Sequence, residues 1–164
     1  MTEPRGQRAT PPTPTRRDRR RSDGERGAVL VELALAAPVL FLLIFAIVDF
    51  GWAFGQHLDV RHGAREGARL AVVNYDAGGA DQTADIVAET CSRMEADSTV
   101  TVELTLPGTA ARGETVEVTV ARPVETLTGF VDFALAGRTL RSTVVSRLER
   151  DATWTPTSGP VSCP

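Results

Sequence analysis

Gly27-Ala28-Val29-Leu30-Val31-Glu32 decides how this chain is read: here an arginine-rich leader meets an apolar run that carries one acid near its start. The run from Ala28 to Val48 holds 21 residues. At a rise of about 1.5 Å per residue it is roughly 31 Å long, enough to cross the hydrocarbon core of a bilayer. Leu33, Leu35, Val39, Leu40, Phe41, Leu42, Leu43, Ile44, Phe45, Ile47 and Val48 leave no polar face, as a lipid-facing helix requires. Pro38 inside the run removes one backbone hydrogen bond and predicts a kink. A carboxylate in lipid is costly, so Glu32 reads as a residue with a task. The plainer alternative is an acid near the interface that reaches the headgroups.

Outward from this stretch the charge is lopsided. Residues 1–27 hold 8 Arg against 4 acidic residues, a net of +4. Residues 49–164 hold 10 Arg against 16 acidic residues, a net of -6. Positive charge beside a first membrane helix keeps that end in the cytoplasm, which places the C-terminal part outside the cytoplasmic membrane. Residues 1–27 read as a disordered basic leader, with Pro11-Pro12-Thr13-Pro14 and Arg16-Arg17-Asp18-Arg19-Arg20-Arg21 offering little to pack. The arginines abut the span and lack interleaved aromatics, so nucleic acid is not expected as a partner. All 18 basic residues are Arg, which with the many Ala, Val and Gly hints at a GC-rich bacterial genome.

Beyond Val48 the pattern turns amphipathic with no break signal. Phe50, Phe54, Leu58, Ala64, Ala68, Ala71 and Val72 recur at three-to-four spacing, with Arg61, Arg65 and Arg69 on a neighbouring face. One long helix from about Ala28 to about Val73 is expected, ended by Asn74-Tyr75-Asp76-Ala77-Gly78-Gly79. Asp81 or Thr83 is placed to cap a second helix running to about Met94, with Ile86, Val87 and Ala88 inward. The period then becomes two. Val100, Val102, Leu104 and Leu106, then Val116, Val118 and Val120, predict a hairpin with one apolar face. Residues 123–136 suit a short helix or a covering loop. Leu140, Ser142, Val144, Ser146 and Leu148 predict a third antiparallel strand. The tail over 153–164 lacks periodicity, and only Cys163 offers to tie it down.

Three one-sided strands need a cover, and the outer part of the long helix with the 81–94 helix supplies it. The expected fold is α+β: a long N-terminal helix, its first half transmembrane, packed on a small antiparallel sheet. The expected organisation is a leader over 1–27, a span over 28–48, an extracytoplasmic α+β domain over 49–152 and an irregular tail over 153–164.

Cys91 and Cys163 both fall in the external part, where an oxidising compartment permits a disulfide; two unrelated thiols are the alternative. No Cys-x-x-Cys or His cluster points to a metal, and His57 and His62 are five apart, off one helix face. Ser142 and Ser146 lie on a strand without the turn a nucleophile needs. No glycine loop resembles a phosphate cradle. Neither cofactor, metal nor catalysis is expected.

Three stretches carry a resemblance. Gly27 to Pro38 resembles the start of TadE-like pilus-assembly proteins. Asp49-Phe50-Gly51-Trp52-Ala53-Phe54 and Ala64-Arg65-Glu66-Gly67-Ala68-Arg69 resemble later stretches of the same family. The likeness is ordered and covers residues 27–73. It implies a minor pilin or pseudopilin of the tight-adherence (Flp) pilus, matured by a prepilin peptidase and assisting fibre assembly at the membrane. By analogy the cut falls between Gly27 and Ala28, and Glu32 is the family acid near the new N-terminus, setting subunit register by pairing with the freed amine of a neighbour. Many type IV pilins carry an aromatic residue where this chain has Ala28.

Gly51-x-x-x-Gly55 and Gly63-x-x-x-Gly67 put small residues on helix faces, suited either to subunit packing or to close approach to this chain's own sheet. Arg65, Glu66 and Arg69 have the spacing of a local ion-pair set; contact with a partner and a solvated face are both open. The partners implied are membrane lipid, the peptidase, other pilus-assembly proteins and pilin subunits. The competing reading is an uncleaved signal-anchored protein whose external domain binds a ligand or the cell wall. A secreted enzyme fits less well, because the apolar run exceeds a signal-peptide core and no small-x-small cut site follows it.

Overall fold

The computed structural model describes residues 16–75 and 80–164, with residues 16–26 as backbone only. The leader over 1–15 and positions 76–79 of the helix-ending stretch lie outside the described residues. Two compact units divide the chain, residues 1–44 and 45–164.

Helix α1 runs Arg16–Val73 and contributes to both units. Its start precedes the expected Ala28. Arginine is a good helix former, and glycine inside a helix costs only about 1 kcal/mol, so Gly27 does not halt it. Pro38 is likewise accommodated. In the first unit the apolar side chains from Val29 to Ile44 are exposed. The helix over Gly27–Val73 is long and apolar enough to cross a membrane.

In the second unit α1 is joined by α2 (Thr83–Ser92), β1 (Thr101–Thr105), β2 (Thr115–Pro123), α3 (Asp132–Leu135), β3 (Thr139–Arg147) and β4 (Val161–Ser162). The four strands form one antiparallel sheet in the order β3-β2-β1-β4. The three alternating runs of the sequence are β1, β2 and β3. Leu148 bonds β2's side through both backbone groups, accepting from Gly113 and donating to Glu114, and the carbonyl of Arg138 accepts from Val124. Alternation then puts the amides of Leu140, Ser142, Val144 and Ser146 on that side too. Pro123 ends β2 opposite Thr139, a pair that exchanges no backbone hydrogen bonds, so its missing N–H is not needed. Arg141 and Arg147 on edge strand β3 discourage further strand pairing.

The core joins the three predicted layers. Val60, Ala64, Ala68, Ala71 and Val72 of α1 meet Ile86, Val87 and Cys91 of α2 and the inward residues Val102, Leu104, Val116, Val118 and Val120 of the sheet. The expected α1 face holds at Ala64, Ala68, Ala71 and Val72 and fails in its earlier part. Phe50, Phe54 and Leu58 are exposed; they lie on the same stripe as Arg61, Arg65 and Arg69. The buried stripe is Asp49, Gln56, Val60, Ala64, Ala68 and Ala71, polar at its start and small at its end. Small residues let the sheet approach the helix closely, and larger ones were the misleading signal.

The tail over 153–164 is held at many points. Asn74 ends α1 in the left-handed region (φ 61°), which asparagine tolerates better than most residues. Its Nδ2 donates to Asp151 O (3.0 Å) and its Oδ1 accepts from Thr153 N (3.2 Å). The Trp154 indole donates to Ala71 O (2.9 Å) and Glu149 N–H to Val72 O (3.1 Å). These satisfy helix carbonyls that would otherwise be orphaned. Thr157 exchanges hydrogen bonds with Leu104, and Cys163 N–H donates to Val100 O.

Asp81 precedes α2 as an Asx turn rather than as its cap residue: the first helical residue, Thr83, follows Gln82. Its carboxylate accepts from Thr83 N and Oγ1, and from Thr155 N and Oγ1 of the tail. The hydroxyls of Thr83 and Thr155, then the amides, draw this carboxyl down to about 2. Because its folded value lies below the ordinary 3.8, its contribution is present above about pH 4 and is lost as pH falls toward 2. Amide exchange at Thr155 should accelerate through that window, and Asp81→Asn should accelerate it already at neutral pH and flatten the acid response.

Cys91 and Cys163 are bridged, 72 residues apart. In the chain-entropy account a loop of this length stabilises by about 4 kcal/mol. Reducing the bridge, or replacing both cysteines by serine, is expected to lower the unfolding free energy of the detergent-solubilised chain by up to about that amount. A denaturant titration with and without reductant measures it; coincident curves would show that the bridge contributes nothing.

Candidate functional site

Gly27, Ala28 and Glu32 lie on α1 in the first unit. The backbone is helical through the Gly27–Ala28 bond, at which the helix was expected only to begin. A Cβ built on Gly27 meets nothing within 4 Å, and Ala28 and Glu32 are exposed.

In the second unit the polar start of the buried stripe grips the segment between β2 and β3. Asp49 is fully buried. Its Oδ1 accepts from Leu127 N (3.1 Å) and Thr128 N (2.7 Å); its Oδ2 accepts from Thr128 Oγ1 (2.7 Å) and Val131 N (3.3 Å). A carboxylate is an acceptor with two oxygens, and four donors directed at it favour the ionised form. Two turns on, Gln56 uses both ends of its amide on Glu125: Nε2 donates to the carbonyl (2.7 Å) and Oε1 accepts from the N–H (3.1 Å). Phe45 and Phe130 stack at a tilt, 6.0 Å between ring centres. Thr126 and Asp132 close the loop on itself through a short hydrogen bond. Residues 125–131 thus lie along α1, fixed by side chains spaced at i, i+4, i+11 on one helix face.

Beside this clasp, Arg122 reaches Asp59 (3.6 Å) and donates to Glu95 O (3.2 Å). Its Nε is buried without a partner among the described residues. It floors an open groove of about 320 Å³ walled by Gly51, Trp52, Gly55 and Asp59.

The two glycine pairs separate. A Cβ on Gly67 would come within 2.9 Å of Thr90 Oγ1 and 3.1 Å of Val118, and one on Gly63 within 2.6 Å of Met94 Sδ. These two positions let α1 lie close to its own α2 and β2. Gly51 and Gly55 face open space. Glu66 accepts from Arg69 (3.3 Å) and from Arg93 at the C-terminal cap of α2 (3.1 Å), which also pairs with Glu89. Arg65 stands outside this set, beside a shallow groove next to β3. Among the described residues no group of His, Cys, Asp and Glu is arranged to hold a metal.

Asp49, Gln56 and the 125–131 loop went unread in the sequence as a functional unit. The available signal was an acid and an amide seven apart at the end of an apolar run, on the helical phase of Val60 and Ala64. Replacing Asp49 by alanine leaves three backbone N–H groups and a hydroxyl without their acceptor. Limited proteolysis of Asp49→Ala is expected to cut within 124–131 under conditions in which the parent chain is resistant; equal resistance would show that the clasp is dispensable.

Neither a curated protein nor a solved structure matches the chain. Residues 27–69, which hold the Gly27–Glu32 junction, the apolar run, Asp49 and the Gly63/Gly67 face, match the model of the TadE-like protein family.

Proposed function

We propose that this chain is a non-enzymatic, membrane-anchored minor pilin or pseudopilin that assists assembly of a tight-adherence pilus. The observation that carries the reading is the TadE-like match over 27–69 together with an exposed acid five positions after Gly27 on a helix apolar enough to span a bilayer. The basic leader keeps the N-terminus in the cytoplasm, and the sheet-bearing unit lies outside. A prepilin peptidase cuts after Gly27, locally unwinding the helix there, and glycine at this position eases both unwinding and approach.

The cut leaves a positively charged amine on Ala28. Glu32 of one subunit attracts the amine of another, more strongly in a low-dielectric setting than in water, and so fixes the stagger between adjacent anchors. Gly51 and Gly55, whose helix face is open, allow a second helix to approach closely. Arg65, exposed and outside the Glu66 ion-pair set, is free to meet a partner's acid. Pilin subunits and other assembly proteins are the partners of this surface.

Mass spectrometry of membrane-extracted protein tests the reading. The mature N-terminus is expected at Ala28 in cells with an active prepilin peptidase; Met1 retained throughout would overturn processing. Glu32→Leu is expected to leave the anchor in the membrane but to lose cross-linking to pilin subunits and surface fibres. Unchanged fibres would remove the register role.

A further inference from the structure

The loop that Asp49 holds presents apolar side chains to the outside. Leu127, Phe130 and Phe133 are 60%, 41% and 88% exposed. Isolated exposed apolar residues are ordinary, but three within seven positions, on a segment tied down by four hydrogen bonds, form a patch that water leaves unsatisfied. Their height along the chain is set by α1. Asp49 binds Leu127, Thr128 and Val131, and Phe45 lies against Phe130. Those α1 residues sit at the outer end of the apolar run, which closes at Val48.

We infer that the 127–133 loop is a second membrane contact, with Leu127, Phe130 and Phe133 inserted into the outer interface of the bilayer that α1 crosses. The inference rests on the membrane-anchor reading of α1, and its occupant is lipid because the patch continues the lipid-facing surface of the helix at the depth where that surface ends. Amphipathic interfacial elements bury their apolar side about 5–10 Å into the headgroup–acyl boundary. Exposed Trp52 lies one helical turn further out, where indoles favour the boundary. Asp49 and Gln56 satisfy the backbone N–H groups of Glu125, Leu127, Thr128 and Val131 and the carbonyl of Glu125 from the helix side, which lowers the cost of this depth. Asp132 is occupied by Thr126, and Arg138, just beyond α3, donates to Ala134 O.

The test uses the full chain with Trp52→Phe, reconstituted in phosphatidylcholine–phosphatidylglycerol vesicles whose acyl chains are brominated close to the glycerol. One tryptophan is added at a time: Phe133→Trp, Leu127→Trp, Phe41→Trp within the span and Val145→Trp on the outer sheet face. The added emission at 133 and at 127 is expected to be quenched at least about threefold more than at 145. Quenching at 41 with none above the Val145 level at 133 and 127 would overturn the second contact and leave the anchor intact. No quenching at 41 would overturn both. Agreement between 133 and 127 guards against a local disturbance by either substitution.

Discussion

On the membrane-anchor reading one helix must satisfy two solvents, and the rest of the structure follows from where it changes from one to the other. From Val29 to Ile44 the large apolar side chains of α1 are exposed, a surface suited to lipid. Over residues 60–72 the same helix turns small and apolar on one stripe alone, and that stripe lies under a sheet. Between them sits Asp49. An ionised carboxylate without partners would be expelled from either environment, yet with four donors converging on it the residue can be fully buried. It marks where the exposed apolar run ends and the helix face packed against the protein begins.

Closeness is what the second unit gains from the small residues. Glycine at 63 and 67 brings the helix backbone against Thr90, Met94 and Val118, and a single added carbon at 67 would meet two neighbours inside ordinary contact distance. The valine-rich sheet face then lies on Ala64, Ala68 and Ala71. This cover is thin, and β-branched side chains packed against alanine bury modest area each. Extra constraint comes from outside the layers: the Cys91–Cys163 bridge, Asn74 and Trp154 at the helix end, and Asp81 between α2 and the tail. The C-terminal segment closes three elements at once and so belongs to the domain.

What was legible in the sequence is what has a period. The apolar run, α2 and the strands centred on Val102, Val118 and Val144 follow from spacing alone, as does the α+β arrangement they impose. On the helix face the small residues Ala64, Ala68, Ala71 and Val72 lie inward as their spacing indicates, whereas Phe50, Phe54 and Leu58 turn outward and Asp49 and Gln56 turn in. How residues 125–131 and 151–157 are held could not be read, since both rest on hydrogen bonds between side chains and distant backbone, 39 to 83 residues apart in sequence. No local pattern records such a bond. The Gly27–Glu32 spacing was legible, but its helical backbone was not, since glycine breaks a helix only where nothing on either side sustains it.

These features bear on how a subunit of this kind would be handed from membrane to fibre. Leaving the bilayer would strip lipid from residues 28–48, so replacement by neighbouring helices is the only cover of matching polarity. Glu32 would then lie among other apolar helices, where an unpaired charge is far less tolerable than at a lipid interface, and pairing with a freed amine becomes a condition of entry. The Asp49 clasp carries no such condition, because its donors come from the same chain and travel with it. On the proposed reading, an acid whose partner must be supplied and an acid whose partners are built in divide the helix between assembly and folding.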